Sequence, residues 1–166
     1  MRLTLKPYQR EAVDHLRAHP RAGLFLEMGL GKTAVTLSAL TPDMLPVLVI
    51  APKRVAEHVW PVELAKWRPD LTYQLAAGTA AKRRKALDTP ADVHIIGVDN
   101  VGDVRCAYPS IVLDELSMWK NRGTRRWKLR LSMVAQQNTP TGRMRLSLAF
   151  ISRRISAMEK PLAVIP

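Results

Sequence analysis

The sequence has a single cysteine, Cys106, which excludes an internal disulfide framework and a cysteine-based metal site. That scarcity suits a reducing compartment, so the expected location is cytoplasmic. No apolar run approaches the ~18 residues needed to cross a bilayer, and no membrane partner is expected. The opening Met1-Arg-Leu-Thr-Leu-Lys-Pro-Tyr8 lacks the apolar core of a secretory signal. His15, His19, His58 and His94 form no ligand set, which argues against a histidine metal centre. Internal repeats and low-complexity linkers are missing too. Acidic residues run out toward the end of the chain. Residues 120–166 hold 11 basic side chains and one acid, Glu159, whereas residues 1–119 hold 15 basic and 13 acidic. The net charge of +12 therefore sits mainly in the last 47 residues. A basic excess suits a polyanion partner, or else marks an abnormal C-terminus.

What remains is an ordinary globular composition. The 166 residues are 47% hydrophobic, enough for one domain with a real core. Short apolar runs alternate with helix-like stretches through residue 119. Leu5 to Leu16 reads as a helix opened by Pro7, and Ala22 to Glu27 as a short buried strand. Lys32 to Leu40 reads as a helix. Pro46 to Ala51 is a continuous β-branched strand. Arg54 to Trp67 carries apolar residues at helical spacing, with Pro61 marking a kink or a second start. Thr72–Ala76, Val93–Val98 and Ser110–Asp114 are further strands, with a helix over Thr79–Leu87. Strands alternating with helices predict an α/β fold whose mostly parallel sheet is covered on both faces.

Two motifs carry chemistry. Leu26-Glu-Met-Gly-Leu-Gly-Lys-Thr33 places a glycine-rich turn between a strand and a helix, the setting a phosphate loop requires. Glycines let backbone N–H groups approach phosphate oxygens, and the helix N-terminus adds a favourable dipole. Lys32 would neutralise the β- and γ-phosphates, and the Thr33 hydroxyl would ligate Mg²⁺. The full phosphate-loop pattern has glycine at the position held by Leu26. The second motif is Ile111-Val-Leu-Asp-Glu115, an apolar strand ending in paired acids. At a strand's C-terminal end, Asp114 can hold Mg²⁺ through water, and Glu115 can polarise the attacking water. The two motifs are expected on strands of one sheet. Elsewhere plain readings come first. Trp60 and Trp67 lie seven apart on one helical face and belong in a core. Lys82-Arg-Arg-Lys85 is a solvated helix face, and Cys106 an inert small residue.

Taken together these segments resemble the first RecA-like lobe of superfamily 2 helicases and translocases, nearest the Swi/Snf-like branch and its phage-type relatives. Leu5-Lys-Pro-Tyr-Gln-Arg10 resembles the adenine-reading segment, with Gln9 at its glutamine position. Glu27-Met28-Gly29-Leu30-Gly31-Lys32-Thr33 resembles motif I. Val49-Ile-Ala-Pro-Lys-Arg54, followed by Trp60 and Trp67, resembles motif Ia at the nucleic-acid backbone. Val112-Leu-Asp-Glu-Leu-Ser117, followed by Lys120-Asn121, resembles motif II.

The resemblance implies a P-loop NTPase, a RecA-like three-layer sandwich incomplete at its C-terminus. It implies ATP and Mg²⁺ as cofactors, with residues 28–33 and Gln9 around the nucleotide. Lys32, Asp114 and Glu115 would be catalytic, Thr33 and Asp114 metal-facing, and Lys53 and Arg54 at DNA. The lobe is expected over residues 1–128. Residues 129–166 do not align with the family and are read as a frameshifted or disordered basic tail, with a helix or strand near 145–155. Asn138-Thr-Pro140 is only a faint counterpart of motif III. The second lobe, which supplies transition-state arginines, is not in these residues, so a second lobe in trans is an expected partner. The isolated chain is expected to bind ATP but hydrolyse it poorly. Two other classes stay open: a different P-loop NTPase such as a kinase, and a non-catalytic nucleic-acid-binding remnant.

Overall fold

Val47 to Ala51 is apolar at every position, and all five residues are buried. Such a strand can sit only in the middle of a sheet covered on both faces. The computed structural model describes residues 4–19, 22–27, 29–106, 108–115 and 163–165. In it this strand, β2, pairs in parallel with β4 (Val93–Gly97) on one side and β5 (Ser110–Leu113) on the other. Strand β3 (Tyr73–Ala76) completes a parallel four-stranded sheet of order β3-β4-β2-β5. The alternation along β2 divides its neighbours. Val47, Val49 and Ala51 join Trp60, Leu64, Val93, Ile95 and Val112 in one cluster. Leu48 and Ile50 join Leu87, Ile96, Ile111 and Leu113 in a second cluster on the opposite face.

The helices follow the sequence closely. Helix α1 (Pro7–Ala18) begins with proline, whose missing N–H costs nothing in a first turn. Helix α2 (Lys32–Ala39) follows the glycine turn, and a 3₁₀ turn covers Pro42–Met44. The stretch before Trp67 is two helices, α3 (Lys53–His58) and α4 (Trp60–Trp67), so Pro61 marks a second start. Helix α5 (Ala80–Asp88) is capped by the Thr79 hydroxyl, which accepts from the Lys82 N–H. A 3₁₀ turn over Val98–Asp103 had no counterpart in the sequence reading.

Two side-chain devices hold the layers in register. Arg68, just past α4, donates through Nη1 to the Leu37 and Leu40 carbonyls at 3.1 and 2.9 Å, closing the end of α2. Asp92 accepts from the Thr72 N–H at 2.8 Å and the Thr72 hydroxyl at 2.7 Å, pinning the start of β3 to that of β4.

The phosphate-loop strand differs from expectation. Strand β1 (Gly23–Phe25) forms its own two-stranded antiparallel ladder with β6 (Ala163–Ile165). Among the described residues no ladder joins β1 to β5, so the two motifs lie on separate sheets. What attaches β1 to the lobe is packing. Leu24 and Leu26 bury against Ala12, Val13 and Leu16 of α1 and Val35 and Ala39 of α2. The expected element near 145–155 and the motif III counterpart lie outside the described residues. No described helix is long and apolar enough to cross a membrane.

The core makes a quantitative demand. Ile95 is fully buried at the sheet centre, so Ile95→Ala should destabilise the chain by roughly 2–5 kcal/mol in urea titrations. Val62, 62% exposed, should tolerate alanine within about 0.5 kcal/mol.

Candidate functional site

The loop after β1 turns on two glycines, Gly29 at φ +82° and Gly31 at φ +77°, both in the left-handed region. They differ in surroundings. Among the described residues, a Cβ on Gly29 would meet nothing within 4 Å. A Cβ on Gly31 would lie 2.5 Å from Gln9 Nε2. Gly31 is also the N-cap of α2, and no side chain caps that end. The first-turn amides of α2 thus stay available to an anionic acceptor.

Gln9 braces this loop from α1. Its Nε2 donates to the Leu30 carbonyl at 3.0 Å, and its Oε1 accepts from the Lys6 N–H at 2.9 Å. The Tyr8 hydroxyl donates to the same Leu30 carbonyl at 3.3 Å. The segment read as adenine-reading therefore touches the phosphate loop directly. An amide carries two donors and two lone pairs on oxygen, so Gln9 keeps one N–H and one lone pair beyond these bonds. Met28 lies outside the described residues.

Lys32 is buried. Its ammonium donates to the Leu26 and Glu27 carbonyls at 2.6 and 2.7 Å, leaving a third N–H. Burial pulls its pKa below the ordinary lysine value, while Asp114 and Glu27 act in the opposite direction. Thr33, next on the helix, is half-exposed. The Thr36 hydroxyl donates to the Lys32 carbonyl at 3.0 Å, satisfying itself within the helix.

Asp114 follows β5, and its N–H donates to the Ile50 carbonyl at 2.8 Å, so the ladder to β2 runs one residue past the strand. Its side chain is buried and accepts from Trp60 Nε1 at 2.9 Å through Oδ2. Burial raises its pKa to about 6; the Trp60 bond and Lys32 oppose that rise, and Glu115 adds to it. Glu115 sits at φ +68°, an uncommon conformation for a non-glycine residue, and turns the chain sharply after the carboxylate. Lys32 and Asp114 thus feel each other's charge although their strands share no ladder.

Lys53 and Arg54 are exposed in the first turn of α3, directly after β2 and so beside the Asp114 end of β5. The Lys53 Cα would lie 3.7 Å from a Cβ built on Gly97, which keeps α3 close over β4. The run Lys82–Lys85 divides its labour. Arg83 pairs with Asp103 at 2.6 Å, tying α5 to the turn after β4, and the exposed Arg84 reaches the same carboxylate at 3.9 Å, while Lys82 and Lys85 face solvent. Cys106 is exposed. Among the described residues no cluster of histidine, cysteine, aspartate and glutamate could hold a metal by itself.

Sequence reasoning missed two participants, Tyr8 as a brace and Trp60 as the donor to Asp114. A signal existed for the second. A buried indole N–H needs an acceptor, and residues 112 and 114 share the sheet face that α4 covers.

A glycine turn with a buried lysine, the helix start at Gly31 and an acid just past β5 come together in one α/β lobe. The chain belongs to the SNF2-related domain family, whose model matches residues 8–139. It is 34% identical over 149 residues to protein p41 of Acyrthosiphon pisum secondary endosymbiont phage 1, covering 80% of this chain and 32% of that one. It is 30% identical over 152 residues to Helicase SWR1 of Candida albicans, covering 80% of this chain and 9% of the helicase. The fold superposes on the Sulfolobus solfataricus SWI2/SNF2 ATPase core in complex with dsDNA. The TM-score is 0.70 at 22% identity, with 90% of this chain and 31% of that one covered. The chain thus spans a third or less of the length of these relatives. It is an SNF2-related domain of RecA-like α/β fold.

Two outcomes test this geometry. Gly29→Ala should cost about 1–2 kcal/mol for its left-handed backbone alone. Gly31→Ala should cost more, because its methyl also displaces the Gln9 brace; paired urea titrations check the order. Asp114→Asn should raise the melting temperature of the metal-free protein at pH 7.5. A carboxylate whose folded pKa lies at about 6 weakens the folded state once ionised, by up to about 3 kcal/mol. The advantage of asparagine should be complete above pH 6 and vanish below pH 4, followed by melting temperature against pH.

Proposed function

We propose that this chain is the ATP-binding first lobe of a DNA-dependent ATPase of the helicase or translocase type. The observation that carries the proposal is the buried Lys32 ammonium, held by carbonyls of its own loop just past a left-handed glycine turn and within the field of Asp114. The donor set fits Mg²⁺-ATP: an ammonium and uncapped helix amides for phosphates, a hydroxyl and a carboxylate for the cation. Bound Mg²⁺ would supply charge neutralisation at the β- and γ-phosphates.

The chain's own residues divide the work. Gln9 presents its remaining N–H and lone pair to the adenine edge. The backbone of residues 28–31 wraps the phosphates, and Lys32 shifts its third N–H toward them. The Thr33 hydroxyl faces the cation, and Asp114 holds it through water. Glu115 orients and deprotonates the attacking water. Lys53 and Arg54 contact the phosphate backbone of DNA beside the nucleotide end of the sheet. The lobe occupies residues 1–128 and the basic segment 129–166 follows it. Appreciable turnover needs arginines from a second lobe, on whatever chain carries it. Such a residue contributes on the order of 10³–10⁵ in rate in related phosphoryl transfers.

Equilibrium binding of Mg²⁺-ATP tests the reading, with Lys32→Ala as the control. Saturable binding that falls at least tenfold in Lys32→Ala is expected. Equal binding by both proteins, or none by a folded wild type, would contradict it. DNA binding that weakens in Lys53→Ala/Arg54→Ala, and that survives removal of residues 129–166, is expected alongside. Binding carried wholly by that basic segment would instead favour a non-catalytic remnant.

A further inference from the structure

Trp60 is 1% exposed and lies in the cluster formed by Val49, Ala51, Ala56, Leu64 and Val112. For packing alone, a phenyl ring would serve. The indole adds one feature, a donor-only N–H, and it is spent on Asp114 Oδ2 at 2.9 Å in a buried bond. An aspartate carboxyl turns about a broad, roughly two-fold torsion, so packing of its own atoms fixes its plane poorly. A rigid indole locked in the core can fix it.

The helix carrying that indole is tied down at both ends. At its start Trp60 reaches the end of β5; at its finish Arg68 holds the Leu37 and Leu40 carbonyls at the end of α2. Helix α2 begins at Lys32 and Thr33. Helix α4 is thus a strut between the phosphate-loop helix and the acid after β5. One residue, Val59, separates it from α3, whose first turn carries Lys53 and Arg54.

We propose that Trp60 is a positioning residue for the cation site: its indole N–H sets the plane of the Asp114 carboxyl and so the affinity for Mg²⁺ at bound nucleotide. The proposal rests on the nucleotide-binding reading above. Trp60 touches neither nucleotide nor cation; it acts through Asp114. Partners that orient a cation-facing carboxylate typically contribute 10–100-fold in metal affinity.

The test titrates Mg²⁺ into the full chain holding a saturating fluorescent N-methylanthraniloyl-ATP, followed by polarisation. Trp60→Phe keeps the ring and removes the donor. Benzothienylalanine at position 60 keeps the bicyclic shape without an N–H and serves if the phenylalanine variant folds poorly. Leu64→Val loosens the same helix without reaching the carboxylate. Both donor-less proteins are expected to bind the nucleotide without Mg²⁺ as the wild type does, and to need roughly tenfold more Mg²⁺ for half-saturation. Leu64→Val is expected to lower the melting temperature and leave the Mg²⁺ midpoint in place. An unchanged midpoint in the donor-less proteins would overturn the proposal, as would an equal shift in Leu64→Val. A wild type that binds the nucleotide no better than Lys32→Ala would overturn the nucleotide reading and this proposal with it. Wild-type binding with unshifted variants would overturn the positioning role alone.

Discussion

A buried ammonium must be met by acceptors, and the geometry of the glycine-turn end of this lobe follows from how Lys32 meets that requirement. Its two short bonds to the Leu26 and Glu27 carbonyls are available only if the chain leaves β1 and turns back over the lysine within a few residues. That reversal needs two left-handed residues, and Gly29 and Gly31 supply them. Gly31 in turn admits the Gln9 amide at a distance no Cβ would allow. Loop, lysine and brace are one mutually dependent unit. It is built largely from bonds to backbone carbonyls, with the Glu27 charge and the Leu30 side chain, packed against the α1–α2 cluster, as additional supports.

The second buried charge, Asp114, is met differently. It has Lys32 within electrostatic reach and an indole N–H in direct contact. The carboxylate pays for its burial with a raised pKa, and the lysine's is lowered. Each group is thus held nearer its neutral form than it would be in water; an anion near Lys32 and a cation near Asp114 would each favour the charged form. Helix α4 joins the far end of α2 to the end of β5 and adjoins the helix bearing Lys53 and Arg54.

Much of this was legible in the sequence. The continuous apolar run Val47–Ala51 announced a central parallel strand, and Gly29-Leu-Gly-Lys-Thr33 announced the turn and the start of α2. Helix and strand positions through Leu113 followed from periodicity and from proline and glycine punctuation. The pairing of β1 was not legible. Three residues carry too little pattern to specify a partner, and Ala163–Ile165 lies 138 residues further along the chain than Phe25. The break between α3 and α4 was half-visible in Pro61. Trp60 was read as core, which it is; its second role depends on a contact 54 residues away that only the sheet brings about. Glu115 was visible as an acid, but not its left-handed backbone.

The central claim is that the Gln9 brace, the glycine turn with Lys32, and the Asp114–Trp60 pair form one nucleotide-responsive site. Amide hydrogen exchange of the full chain, with and without Mg²⁺-ATP, tests it most directly. Added nucleotide should slow exchange together in peptides covering residues 6–12, 27–36, 57–64 and 110–115, and the whole pattern should be lost in Lys32→Ala. Protection confined to one of these segments, or none in a folded wild-type chain, would contradict the claim.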